Sequence, residues 1–306
     1  MGEVATRLNI DYRDEAFARD PFSFYKIMRH DFPVCLLGEV GNHFAITRYN
    51  DAKEILGDHD VFLSGSDVIG RPAWVGEKFK RDLFILTMEP PLHTKYRALV
   101  NKAFMPKVLA ALEPFAHESA GTLLEQMRGE DWSDFLDHFS LPYAVAIISQ
   151  ITGDQSQSVE QLRAWTRLVD QNSYTTPDQA HISALQDATM RQYAIYDRII
   201  AERRANPRPD LLNGLLEAEI GGERLSDTDV RAALDVFVSA GFQSSALLLT
   251  NSVYMLARRP DIFNVLKHDP SQIPNFIDEM LRFDSPAQTL LRVIRKSTAF
   301  TYPKGL

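Results

Sequence analysis

The feature that most constrains this chain is a single long helical pattern over residues 226–259. Two acidic residues stand in its first turn and two arginines at its end, which suits the helix dipole. At 1.5 Å per residue the pattern extends over roughly 50 Å, enough to cross a whole domain. Its surface is apolar nearly all round between residues 236 and 256, so we expect a central, buried helix. The chain is therefore expected to form one domain over residues 1–306.

Helical periodicity dominates after residue 90, whereas the earlier part of the chain is mixed. Apolar runs predict strands at Val34–Leu37, Phe44–Ile46, 289–294 and 299–302, and the region 58–88 predicts a long loop. We therefore predict a fold that is mainly α with a small β-sheet. One predicted helix is capped by Asn50 and Asp51 and ends near residue 56, and another, over 133–152, is expected to kink at Pro142. The other predicted helices are roughly 22–30, 91–103, 107–128, 157–172, 178–205, 209–219, 226–259 and 270–284.

The charge and the cysteine count exclude several classes of protein. The net charge of -8 argues against non-specific nucleic-acid binding, which needs a basic surface. The single cysteine, Cys35, rules out an internal disulfide and fits a reducing cytoplasm. The first residues contain no apolar segment of the kind found in signal peptides, and no uninterrupted apolar run reaches membrane-spanning length. We expect a cytoplasmic protein that binds neither membranes nor nucleic acid.

Three cationic or hydrogen-bonding side chains are candidates for holding an anion. His93 and Arg97 are spaced i, i+4 at the start of a predicted helix, so they lie on one face and could hold a carboxylate. The alternative is a solvated helix face. Arg292 stands in an otherwise apolar strand pattern, where a charge needs an anionic partner, unless the strand edge faces water.

Two further motifs lie on predicted helices. Residues 239–245 place glycine, glutamine and three serines within the long apolar helix, which indicates a helix opened to hold a ligand or water. The alternative is a helix crossing that requires small residues. Glu279 and Arg282 are spaced i, i+3, which taken alone indicates a surface salt bridge.

Taken together, these motifs resemble the bacterial cytochrome P450 family over essentially the whole chain. VCLLGEVGNHFAITRYNDAKEIL is similar to the family's early strand and helix, and MEPPLHTKYRALVNKAFMPKVLAALEP is similar to its C helix with His-x-x-x-Arg. VFVSAGFQSSALLLTNSVYMLARRPD resembles the I helix, and FIDEMLRFDSPAQTLLRVIR resembles the K helix with its Glu-x-x-Arg pair. The four segments stand in the family's order and spacing. The resemblance implies the cytochrome P450 fold and a heme-dependent monooxygenase.

The resemblance also assigns roles to individual residues. His93 and Arg97 would bind one propionate of heme b and Arg292 the other, while Glu279 and Arg282 would form a structural pair inside the fold. The remaining implied roles belong to the heme face and the substrate pocket. They are Ala240 and Gly241, which would let the I helix pass over the heme, and Val238, Phe242, Val68 and Ile69, which would line the pocket.

The sequence departs from the family at the oxygen-activation pair. The family usually places an acid and a threonine where this chain has Gln243 and Ser244. We assign these two residues to the catalytic site. Because an amide has no useful pKa and can only position water, proton delivery should be slower, use other groups, or be unneeded.

The family's heme-ligand cysteine lies downstream of the Glu-x-x-Arg helix, and the printed chain has only Cys35, which we expect to be a small buried hydrophobe. The resemblance thus indicates a truncated chain without its axial thiolate, inactive alone. The alternative is a heme-free homologue that activates a glycosyltransferase or another biosynthetic enzyme.

The expected partners are a ferredoxin or flavodoxin as electron donor and a small hydrophobic or secondary-metabolite substrate, which the sequence does not specify further. Lys95, Lys102 and Lys107 form a locally basic region suited to an acidic donor, although a solvated helix face explains them nearly as well.

Overall fold

A computed structural model describes residues 7–8, 14–37, 44–64, 84–104, 106–129, 133–154, 158–174 and 179–295. The chain divides into two compact units, one formed by Met1–Ser64 with Arg292–Leu306 and the other by Gly65–Leu291. The single domain expected over the whole chain stays a prediction. The mainly α class with small sheets is confirmed.

The elements in chain order are β1 (Arg7–Leu8), α1 (Glu15–Arg19), α2 (Pro21–Asp31), β2 (Val34–Leu37), β3 (Phe44–Ile46), α3 (Tyr49–Gly57), β4 (Phe62–Leu63), α4 (Leu92–Ala103), α5 (Pro106–Gln126), α6 (Leu141–Thr152), α7 (Val159–Tyr174), α8 (Gln179–Ala205), α9 (Leu211–Glu217), β5 (Glu219–Ile220), β6 (Glu223–Arg224), α10 (Asp227–Arg258), α11 (Pro260–His268), α12 (Ile273–Phe283) and β7 (Val293–Ile294). Short 3-10 turns lie at Phe84–Leu86 and Pro270–Gln272.

The first unit contains two small sheets. β2 pairs parallel with β1 and antiparallel with β3, and Cys35 lies opposite Ala45 in the second pairing. β4 pairs antiparallel with β7. The strands predicted at β2 and β3 are confirmed at the same bounds. The predicted strand 289–294 is mostly wrong, because only Val293 and Ile294 have a strand partner; the strand predicted at 299–302 lies outside the described residues.

The second unit is organised around α10. Ser226 and Asp229 form a capping box in which the Ser226 hydroxyl accepts from the Asp229 amide at 3.1 Å and the Asp229 carboxylate accepts from the Ser226 amide at 2.9 Å. Helices α6, α8, α9 and α12 pack against α10. Most of its first half is buried, as predicted, but Ala240 there and Val253 and Tyr254 in its second half are exposed. The expectation that α10 is buried nearly all round was therefore wrong for its second half, because the described elements pack mainly against its first half.

The described chain contains one helix, α10, that is long and apolar enough to span a bilayer by length and composition alone. The core helix of a soluble protein passes the same test. A helix of this kind in a packed bundle is therefore weak evidence for a membrane span.

Two local expectations concern proline and helix capping. Pro142 lies in the first turn of α6, directly after a π-helical stretch, Leu136–Ser140, and the kink expected at Pro142 stays a prediction. Neither Asn50 nor Asp51 caps α3: Arg48 stands at its N-cap, and no side chain caps it.

Candidate functional site

The first part of the candidate site is the exposed side of α4. This helix buries Leu99, Val100 and Ala103 and presents His93, partly buried, and Arg97, exposed. Neither His93 nor Arg97 makes a side-chain hydrogen bond or ion pair with any residue that the structure describes. The i, i+4 spacing therefore leaves two adjacent donors available for an anion.

The lysines of α4 are engaged differently. Lys95 forms an ion pair with Glu223, and Lys102 donates to the backbone carbonyl of Glu219, both in the β5–β6 hairpin. The side chain of Lys107 lies outside what the structure describes. The basic surface predicted for an acidic electron donor is therefore partly committed to contacts within the chain.

The middle of α10 is an unbroken helix. The Ser239 hydroxyl donates to the carbonyl of Asp235 at 2.8 Å, and the Ser244 hydroxyl donates to that of Ala240 at 2.5 Å. These i−4 bonds satisfy both hydroxyls without opening the helix, so the expected opening was wrong. Ala240 is exposed and Ser244 partly exposed, and their spacing places them on one ridge of small side chains.

The opposite side of α10 is packed. A Cβ atom at Gly241 would lie 3.6 Å from Cδ1 of Ile148, so this glycine faces α6, as the helix-crossing alternative requires. Val238 and Phe242, one turn apart, are fully buried in the core. The structure thus places Ala240 and Gly241 on different faces of the helix.

Phe242 and Gln243 also line a cavity of about 350 Å³, together with residues from α7 and from the π-helical stretch before α6. Arg163 and Arg167 belong to this lining and were missed from the sequence. Their i, i+4 spacing on α7 was the available signal. A hydrogen bond from Arg163 holds the pKa of the Asp137 carboxyl below its usual value.

Glu279 and Arg282 form a two-point ion pair on α12, with Nε to Oε2 at 2.7 Å and Nη2 to Oε1 at 2.5 Å. Both side chains are more than half exposed within the described part of the chain. The hydrogen bonds from Arg282 lower the pKa of the Glu279 carboxyl. The pair fixes two side chains on one helix face, and it contributes little to stability while water surrounds it.

The remaining predicted residues belong to the first unit or lie outside the described residues. Arg292 is partly buried, next to β7 in the first unit, and has an interaction within the structure. Val68 and Ile69 lie outside the described residues. Cys35 is fully buried in β2, and burial raises the pKa of its thiol. The described residues contain no group of three or more His, Cys, Asp or Glu that could hold a metal ion.

The fold and these motifs define a class of heme monooxygenases, and the comparisons with known proteins agree. The cytochrome P450 family model matches residues 32–301. Putative cytochrome P450 YjiB of Bacillus subtilis is 30% identical over 299 residues, covering 97% of this chain and 73% of the relative. Cytochrome P450 107B1 of Saccharopolyspora erythraea is 32% identical over 296 residues, covering 93% of this chain and 70% of the relative.

Solved structures show the same likeness. Cytochrome P450 CYP109Q5 from Chondromyces apiculatus matches with a TM-score of 0.79 at 27% identity, covering 94% of this chain and 71% of that one. CYP109E1 from Bacillus megaterium, in complex with testosterone, matches with a TM-score of 0.74 at 28% identity, covering 92% of this chain and 72% of that one. The chain belongs to the cytochrome P450 family. The class comprises heme monooxygenases that act on small molecules and use redox partners such as ferredoxin.

Proposed function

We propose that this chain binds heme b through His93 and Arg97, which hold one propionate, and serves the oxidation of a small hydrophobic or secondary-metabolite substrate. The observation that carries the proposal is the pair of adjacent donors on α4 without a partner among the described residues. Arg292 is proposed for the second propionate on the family resemblance. The heme ring is apolar apart from its two propionate carboxylates, so cationic side chains are suitable partners for these two groups.

The small-residue ridge of α10 supports this assignment. Ala240 and Ser244 leave an accessible strip on a helix whose other face is packed against α6. A flat ring can approach a helix closely only where the side chains are short. Heme, when bound, supplies the redox chemistry that activates dioxygen with two electrons.

The chain's own residues at this ridge can position groups but have limited capacity to carry protons. The Ser244 hydroxyl, now donating to the Ala240 carbonyl, can rotate to donate elsewhere or accept from water. Gln243 has an amide, which can orient water but does not titrate. We therefore expect proton delivery that is slow, uses other groups, or is not required for this substrate.

The axial thiolate is not expected from Cys35, because this side chain is fully buried between two strands and its pKa is raised. A thiol must ionise to bind iron. The alternative is a heme-free relative that activates a glycosyltransferase or another biosynthetic enzyme. His93 and Arg97, which have no partner among the described residues, favour heme binding, because a heme-free protein has no propionate to hold.

The electron donor proposed for the heme-binding form is a ferredoxin or a flavodoxin. The solved relative CYP109E1 holds testosterone, which supports a hydrophobic small molecule as the substrate class.

Heme titration of the 306-residue chain tests the proposal, with His93→Gln and Arg97→Gln as variants. Each change weakens a hydrogen bond to a charged group, because a neutral amide replaces the imidazole or the guanidinium, so we expect about a tenfold loss of heme affinity. Arg191→Gln, an exposed arginine on α8, is the matched control and should bind as the unmodified chain does.

Two results would contradict the assignment. Equal heme affinity in all four proteins would place the propionates elsewhere. A monomer that unfolds cooperatively and takes up no heme would support the partner-protein function.

A further inference from the structure

A second cavity lies between α5, α6 and the start of α7 in the second unit. Its volume of about 340 Å³ falls within the range of roughly 300–1,000 Å³ typical of small-molecule sites. It shares no lining residue with the cavity that contains Phe242 and Gln243. The residues assigned above to heme, substrate or catalysis do not line it. This cavity is therefore separate from the site already described.

One face of α6 forms most of the cavity wall. The four residues on this face have the i, i+3, i+4, i+7 spacing that aligns side chains along a helix, and they are Pro142, Val145, Ala146 and Ser149. Ile148, which contacts α10 at Gly241, lies on a different side of α6. The cavity and the contact with α10 therefore use different sides of the same helix.

The rest of the lining is apolar or already hydrogen bonded. Phe115 of α5 contributes an aromatic ring, and Val159, the first residue of α7, contributes an aliphatic side chain. The Ser158 hydroxyl accepts from the amide of Gln161 at 3.2 Å. No charged side chain belongs to the lining. A charged ligand would lose its hydration here without gaining an opposite charge, so the cavity favours a neutral ligand.

The Ser149 hydroxyl is the polar group of this lining that a ligand can engage. Ser149 is 6% exposed, and its side chain makes no hydrogen bond with any described residue. Thr152, less than one turn further along α6, instead donates to the carbonyl of Ile148 at 2.8 Å. Because a buried hydroxyl without a partner costs free energy, a ligand that bonds to Ser149 gains affinity, whereas a pure hydrocarbon leaves the hydroxyl unpaired.

We propose that this cavity binds a neutral alcohol with an apolar body, whose hydroxyl bonds to Ser149 and whose body packs against Phe115, Val145 and Val159. A serine hydroxyl both donates and accepts, so an alcohol can use either capacity. The proposal goes beyond heme binding and substrate oxidation, because the cavity residues belong neither to the propionate set nor to the catalytic pair. It adds a ligand site that can be tested whether or not heme is present.

Benzyl alcohol is the probe, and ligand-observed NMR titration of the full chain is the measurement. Toluene and benzoate are the comparison ligands, because each keeps the aromatic ring and its single attached carbon. Toluene lacks the hydroxyl, and benzoate carries a negative charge. We expect saturable binding of benzyl alcohol and at least about tenfold weaker binding of benzoate, whose carboxylate would be desolvated without a cationic partner.

Two variants locate the site. Ser149→Ala should weaken benzyl alcohol binding about three- to tenfold and should not weaken toluene binding, because only the alcohol loses a hydrogen bond. Ser183→Ala, which removes an exposed hydroxyl on α8, is the matched control and should change neither affinity. Ala146→Leu fills part of the cavity and should weaken the binding of both ligands.

Urea unfolding followed by circular dichroism checks that the variants remain folded. Ser149→Ala should unfold at a urea concentration no lower than the unmodified chain does, because it removes a buried hydroxyl that has no partner among the described residues. A lower midpoint would show that Ser149 is already hydrogen bonded in the folded chain, and this result would contradict the proposal.

Three binding results would overturn the proposal: no saturable binding of benzyl alcohol, equal affinities for benzyl alcohol and benzoate, or an unchanged affinity for benzyl alcohol in Ser149→Ala. The titrations are repeated with heme added, and the affinity for benzyl alcohol should stay the same. Displacement of benzyl alcohol by heme would place the alcohol beside α10 and would also overturn the proposal. Heme uptake by Ser149→Ala should be normal, so this inference and the heme assignment can fail independently.

Discussion

The ion pair between Arg203 and Asp210 provides the sharpest test of what stabilises the second unit. The Arg203 side chain, near the end of α8, is 1% exposed, and its Nη1 atom donates to both carboxylate oxygens of Asp210, which is 31% exposed. Asp210 is also the N-cap of α9, where it accepts from the amide of Asn213 at 3.0 Å. One carboxylate therefore neutralises a buried cation and begins a helix.

The two roles of Asp210 can be separated by substitution. Breaking a buried pair costs about 3–5 kcal/mol, because the remaining charge has no partner. Water reaches the Asp210 side of this pair, so we expect about 2–3 kcal/mol for Asp210→Asn, which keeps a capping oxygen. Asp210→Ala also removes the cap, which adds about 1 kcal/mol. Arg203→Met should cost only about 1 kcal/mol, since the carboxylate left behind can still be hydrated.

Urea unfolding followed by circular dichroism gives the free energies of unfolding. The matched control is Glu202→Gln, which breaks an exposed pair with Arg208 and should change stability by less than about 0.5 kcal/mol. The reasoning is refuted if Asp210→Asn costs no more than this control, or if Arg203→Met costs more than Asp210→Ala.

Three further predictions concern packing, catalysis and the thiol. Gly214→Ala should destabilise the protein by about 1 kcal/mol, because the new Cβ would lie 3.2 Å from the Cα of Ala103. Gly121→Ala, where the new Cβ would meet open space, should stabilise the protein by about 0.5–1 kcal/mol. Urea titrations compare the free energies of unfolding of the two variants. Gln243→Glu restores a titratable group and should raise the product formed per reduced nicotinamide consumed in the reconstituted enzyme, and an equal or lower ratio would count against the proton-relay interpretation. Cys35 should react with iodoacetamide far more slowly in the native chain than in urea, because it is buried and its raised pKa keeps it protonated; equal rates by mass spectrometry would disprove its burial.

The long helices could be predicted from the sequence because apolar periodicity, capping residues and terminal prolines agree there. α10 runs from residue 227 to 258 against an expected 226–259. The short elements were missed for different reasons. α11, a helix of nine residues, was not predicted, although Pro260 at its first position is typical of a helix start. The β5–β6 hairpin has strands of two residues, too short for alternation, so its turn at Gly221 and Gly222 was the only signal.

The candidate site was predictable where it depends on spacing along one helix. His93 and Arg97 lie on one face of α4 because the i, i+4 rule is local. The cavity was not predictable, because it combines Arg167 with Phe242 and Leu247, which are distant in sequence and meet only through helix packing. The orientation of Gly241 toward Ile148 likewise depends on which face of α10 receives α6.

The central claim, that His93 and Arg97 hold a heme propionate, is tested most directly by comparing heme with its dimethyl ester. The ester keeps the ring and the iron but removes both negative charges. We predict that the unmodified chain binds heme at least about tenfold more tightly than the ester, and that this preference shrinks markedly in the double variant His93→Gln, Arg97→Gln. A preference for heme that persists undiminished in the double variant would contradict the assignment.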